Sequence, residues 1–148
     1  MLLCLGKFQN IAEGKPAIQS SNYHEDGQAE LAVDGISNST GIYQTVCSQT
    51  SNNAPAWWQV DLQNVAVLFE MEIYNRLNCC SERLTDATIS TKVKVNDGWK
   101  LCYRLPDMTN VEMKAFSCNK LTSARFIQVQ KETYLAICEF KVFGTFYK

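Results

Sequence analysis

The sequence predicts an all-β domain, a sandwich or a barrel, on three observations. Apolar residues recur with a period of two, helical periodicity is weak throughout, and short apolar runs alternate with polar loops at fairly regular spacing. With 148 residues, the chain has the length of one domain. At that size it can bury roughly 70% of its unfolded-state surface. Only 20% of residues are charged and Val, Ile, Leu and Phe are plentiful, so disorder is not expected.

The elements follow in order. Residues 1–9 read as a tail or the remnant of a leader, and residues 10–148 as a single domain without an internal repeat or a Pro/Gly linker. One helical turn is expected at 28–33. Strands are expected at 57–62, where Trp57 and Trp58 take opposite faces, and at 67–74, where Val67, Phe69, Met71 and Ile73 form one face. Ile89, Thr91, Val93 and Val95 repeat the pattern, and further strands are expected at 99–103, 111–116, 126–130 and 136–143. Two polar stretches, 20–27 and 35–54, read as loops. The second holds the glycosylation sequon Asn38-Ser39-Thr40 and Cys47, and a loop of that length needs an organiser.

Charge excludes several functions. Fourteen basic residues against fifteen acidic ones leave a net charge of −1, which gives no footprint for nucleic acid or an anionic membrane surface. No apolar run approaches the ~20 residues of a membrane span, so membrane insertion is not expected. A single histidine, His24, and the lack of a nucleophile elbow or a metal-ligand pair beside a base make an enzyme a poor reading.

Seven cysteines stand at 4, 47, 79, 80, 102, 118 and 138. None forms the spaced pairs of a zinc site, so six of them read as three disulfides in a secreted, extracellular chain, with one left over. Cys79 and Cys80 are adjacent. A bridge between them closes almost no loop and spans Cα atoms only ~3.8 Å apart, so it adds little to folding and points to a local shape requirement. The alternative, that each pairs with a distant partner, stays open on spacing alone. Arg76 and Arg83 flank the pair. Their rigid donor forks suit sugar hydroxyls or an anion, and the plainer reading has them in ion pairs with Glu82 or Asp86.

These residues belong to a pattern that covers positions 10–143. In order come Asn10-Ile11-Ala12, Gly14-Lys15-Pro16-Ala17, Ala32-Val33-Asp34-Gly35 and Trp57-Trp58-Gln59-Val60-Asp61-Leu62. Asn75-Arg76-x-x-Cys79-Cys80-x-Glu82-Arg83 and Leu135-Ala136-Ile137-Cys138-Glu139 follow. The series resembles the F-type lectins, the fucose-binding lectins or fucolectins. The resemblance implies an eight-stranded jelly-roll β-sandwich of the discoidin (F5/8 type C), galactose-binding-domain-like class. It implies that Arg76 and Arg83 donate to L-fucose and that a Cys79–Cys80 disulfide forms an apolar ledge under the ring. Gln49 stands where the family normally has a histidine, and Asn78 where it has an aspartate beside the first arginine. Glu82 is the nearest replacement for that charge. Tyr23, His24 and Tyr43 are the candidates at the rim of the site.

The resemblance also implies a structural calcium, held by the carboxylates of Asp34 and Glu139 and by backbone carbonyls of Leu31, Ile36, Val46 and Cys138; oxygen ligands suit such a hard cation. The plainer readings are a turn-former at Asp34 and an exposed strand residue at Glu139. The remaining bridges would be Cys47–Cys138 and Cys102–Cys118, with Cys4 left over. The expected function is recognition of fucosylated glycans on microbial or cell surfaces, as in innate immunity, with Gln49 and Asn78 weakening or altering the sugar preference. One site of this kind binds weakly, so a homo-oligomer is expected for avidity. The competing reading is an adhesion or protein-interaction module of the same fold whose sugar site has decayed.

Overall fold

The computed structural model describes residues 9–25, 27–37, 47–52 and 54–148. Cys4, the sequon at Asn38, Tyr43 and Val46 lie outside the described residues. Nine strands are described: β1 (Ala17–Gln19), β2 (Ser48–Gln49), β3 (Ala56–Tyr74), β4 (Thr88–Lys92), β5 (Lys100–Arg104), β6 (Met113–Phe116), β7 (Thr122–Lys131), β8 (Ala136–Ile137) and β9 (Glu139–Phe146). Two 3₁₀ turns, Ala29–Val33 and Ser81–Leu84, complete the regular structure. The resemblance implied eight strands. Here seven strands are linked through β3, and β2 and β8 form a two-stranded ladder of their own.

All pairings are antiparallel, and β3 organises them. Its first half, rich in Trp and Val, pairs β1 and β7, while its second half pairs β9 and β6. The β3–β7 register shifts between Asp61 and Ala66, where Gln63 takes a positive φ of 71°. An irregularity of this kind bends a strand and raises its twist, so one strand serves both layers. The layers then meet face to face. Trp58 of the first half packs on Phe140 of β9 at 5.4 Å between ring centroids, and Tyr103 of β5 stacks on Phe116 of β6 at 4.8 Å.

Trp58, Val60 and Leu62 are fully buried, as their alternation predicts, and the indole N–H of Trp58 donates to the Ala29 carbonyl at 3.0 Å. Trp57 is only half-buried, on the opposite face. The expected face of 67–74 needs correcting. Leu68, Met71 and Ile73 are buried, while Phe69 is 39% exposed, because a second register shift between Leu68 and Glu70 reverses the alternation. The stretch at 89–95 also ends early: β4 stops at Lys92, and Val95 is exposed.

Three disulfides close the fold: Cys47–Cys138, Cys79–Cys80 and Cys102–Cys118. The first joins segments 91 residues apart and seats β2 against β8. A loop of that length corresponds to roughly 4–5 kcal/mol by chain entropy, against about 3 for the 16-residue separation of Cys102–Cys118.

Candidate functional site

The segment after β3 is shaped by Asn75, a fully buried polar residue. Its side-chain amide donates to the carbonyls of Ser81 and Met108, both at 2.9 Å, and its Oδ1 accepts the backbone N–H of Arg76. Residues 76–80 are thereby held as a closed loop. At its tip sits the Cys79–Cys80 disulfide, with Cys79 exposed and Cys80 half-buried. Cys80 adopts a left-handed φ of 66° and starts the 3₁₀ turn that carries Arg83. The pairing between neighbours therefore exists, and it presents sulfur to solvent beside both arginines' segment.

Arg76 is 7% exposed. Its Nε donates to Oδ1 of Asn78 at 2.8 Å and its Nη1 to Oε1 of Gln49 at 3.0 Å. Burial and then the neighbouring positive charge of Arg83 push its pKa down, with Tyr23 acting in the opposite sense. Arg83 lies with its guanidinium carbon 4.2 Å from the ring centroid of Tyr134, and its Nε is buried without a hydrogen-bond partner. A buried unpartnered donor is costly, so this nitrogen is a natural place for an acceptor from a ligand.

The ion pairs expected of these arginines are absent among the described residues. Glu82 does not replace the missing aspartate charge: its carbonyl accepts from Lys131 Nζ, and its charge and that of Asp86 act on Lys131. Gln49 reaches the site from β2. Its N–H donates to the Gly27 carbonyl, and its own carbonyl accepts from the N–H of Tyr23, so the 23–27 loop is sewn to β2. Tyr23 and His24 are exposed on that loop, with Tyr23 tied to the site through its N–H to Gln49. The structure thus gathers Gln49, Arg76, Cys79, Cys80, Arg83 and Tyr23, with His24 on the adjoining loop. Sequence reasoning missed Tyr134 and Asn75. The available signals were the position of Tyr134 just before the 135–139 motif and of Asn75 at the head of the arginine motif.

A second constellation lies around Gly35. Glu139 is fully buried at the start of β9, not exposed, and its Oε2 accepts the Gly35 N–H at 2.9 Å. Its Oε1 is buried without a hydrogen-bond donor. Burial raises the Glu139 pKa, the Gly35 N–H opposes this, and the nearby Asp34 carboxylate raises it again, to about 8. Asp34 also accepts the Ile36 N–H at 2.9 Å. Leu31 and Ile36 flank Asp34 along the chain, and Cys138 precedes Glu139. Among the described residues no third Asp, Glu, His or Cys converges with these two carboxylates, so further ligands for a cation would be carbonyl oxygens. Gly35 has a positive φ of 85°, and a Cβ there would meet the Glu13 carboxylate.

The sequence and the fold both have relatives. Residues 31–129 match a family model described as a NedA-like, galactose-binding domain. The chain is 33% identical over 142 residues to Fucolectin-6 of Anguilla japonica, covering 90% of this chain and 75% of that protein. A Streptococcus pneumoniae fucose binding module superposes with a TM-score of 0.79 at 27% identity, covering 92% of this chain and 95% of the module. The lectin domain of lectinolysin, complexed with Lewis B antigen, superposes with a TM-score of 0.77 at 28% identity over 91% of this chain and 96% of that domain. These are lectins and binding modules, and this chain, like them, is not an enzyme. With a fold, an arginine motif and relatives that agree over nine-tenths of its length, the chain belongs to the F-type lectin (fucolectin) family.

Proposed function

We propose that this chain is a secreted lectin that binds terminal α-L-fucose on glycans through Arg76 and Arg83. The observation that carries the reading is the buried, unpartnered Nε of Arg83, on the same loop-and-turn segment as Arg76 and the exposed Cys79–Cys80 bridge. The relatives' names, and the Lewis B complex of one of them, support fucosylated glycans as the partner class. Three disulfides support an extracellular setting.

The mechanism is binding. Arg76 is oriented by two amides, Asn78 and Gln49, and offers its remaining N–H groups to sugar hydroxyls. Arg83 lies over the ring of Tyr134 and adds a second fork. The adjacent cysteines supply a rigid apolar surface for the face of the sugar ring, and Tyr23 and His24 stand at the rim for the methyl group and neighbouring sugars. Gln49 and Asn78, in place of histidine and aspartate, alter the preference among fucosides while keeping both forks in position. A single site of this size binds weakly, and association into a homo-oligomer raises avidity.

Asp34 and Glu139 fit a structural calcium. Two carboxylates lie together, one oxygen of the buried Glu139 has no donor, and both belong to segments that border the site. The ion, when bound, supplies the positive charge that lets these carboxylates sit ionised side by side. Elution from fucose-agarose by free fucose, lost in Arg76→Ala and Arg83→Ala, tests the lectin reading. Flow-through of the correctly folded chain overturns it in favour of an adhesion module with a decayed sugar site.

A further inference from the structure

Two guanidinium groups share this site, and the described side chains that contact them are neutral. Arg76 is satisfied by the amides of Asn78 and Gln49, and Arg83 rests on the ring of Tyr134. Among the described residues neither arginine forms an ion pair. The carboxylates nearest in sequence are turned elsewhere. Glu82 and Asp86 line a groove of about 840 Å³ beside the site, and their charges act on Lys131, whose ammonium caps the carbonyls of Glu82 and Thr85. Among the described residues, therefore, no carboxylate compensates the positive charge of the two forks. Arg76 is also largely removed from water, where a charge interaction is screened least.

We infer that the site selects an anionic sugar, a fucoside carrying a sulfate ester, over its neutral counterpart. The inference rests on the fucose-binding reading and names the ligand class that this chain's own residues favour. A sulfate oxygen accepts from a guanidinium in a charge-assisted hydrogen bond, which is roughly twice as strong as the bond to a neutral hydroxyl. It supplies both the acceptor that Arg83 Nε lacks and the negative charge that Asn78 does not. A carboxylate at position 78 would hold Arg76 and neutralise it at once, and the site would then favour an uncharged sugar.

The experiment is calorimetric titration of the whole chain with methyl α-L-fucopyranoside and with its 2-, 3- and 4-O-sulfates, at low and high salt. At least one sulfate ester is expected to bind about fivefold tighter than the neutral fucoside. The advantage should shrink as salt rises from about 20 mM to about 0.5 M. Asn78→Asp, on an exposed residue, should abolish the advantage, so that the ratio of sulfated to neutral affinity falls to about one or below. If every sulfate ester binds no better than the neutral fucoside, the inference fails and the fucose reading stands. If no fucoside, neutral or sulfated, binds, both fail. Sulfate binding that free fucoside does not displace, or that survives Arg83→Ala, also overturns the inference, because the anion then sits elsewhere.

Discussion

Replacing Asn75 by Ala deletes three hydrogen bonds at one stroke. The side-chain amide leaves the carbonyls of Ser81 and Met108, and the Oδ1 atom leaves the N–H of Arg76. All three partners lie in or next to the buried root of the loop, where water does not readily replace the lost bonds. At about 1 kcal/mol for each net hydrogen bond, the loss is about 3 kcal/mol. In a domain of this size that lowers Tm by about 6–12 °C. Urea unfolding followed by tryptophan fluorescence, with thermal melts in parallel, measures both quantities. The sugar affinity of the folded variant should also drop, because Arg76 and the Cys79–Cys80 tip lose their common anchor. An unfolding free energy within about 0.5 kcal/mol of the parent, the range of a neutral surface change, would show that Asn75 does not hold the loop.

Three further outcomes are expected. Tyr134→Ala should weaken fucose binding about fivefold through loss of the surface under Arg83, whereas Tyr134→Phe keeps the ring and should bind like the parent; equal losses in both would refute the stacking role. Gly35→Ala should cost about 1–2 kcal/mol in a urea melt, since the left-handed backbone disfavours a Cβ and the Glu13 carboxylate occupies its place. In chelator, Glu139 carries a pKa raised from 4.5 to about 8 on folding, so the folded chain holds a proton that the unfolded chain releases in that window. Its contribution to stability is complete below pH 4.5 and is lost as pH rises through about 8, and Glu139→Gln should flatten that part of the Tm-against-pH curve.

The sandwich was legible because its central strand alternates cleanly: Trp58, Val60 and Leu62 point inward as period two demands. The second half of the same strand was misread. A bulge costs one residue of register and leaves no compositional mark, so the alternation groups Phe69 with Met71 and Ile73 although it faces outward. The strand Ser48–Gln49 falls in a stretch whose composition predicts a loop, since its two polar residues have no strand propensity and pair with β8 where the Cys47–Cys138 bridge joins the two segments. The arginines and adjacent cysteines stood out by residue type and spacing. Tyr134 and Asn75 did not, because their roles come from contacts with residues distant in sequence, Arg83 and Met108. The same holds for Glu82, whose neighbour in space is Lys131.

The main chain of Gln49 is tied on both sides: the N–H to Gly27, the carbonyl to Tyr23 and to the amide of Gln19. None of these bonds depends on which side chain the residue carries. An exchange at position 49 therefore alters what the site offers a ligand without unpicking the loops that form it. The side chain at this position is thus set nearly independently of the main-chain bonds that join the loops to the sandwich.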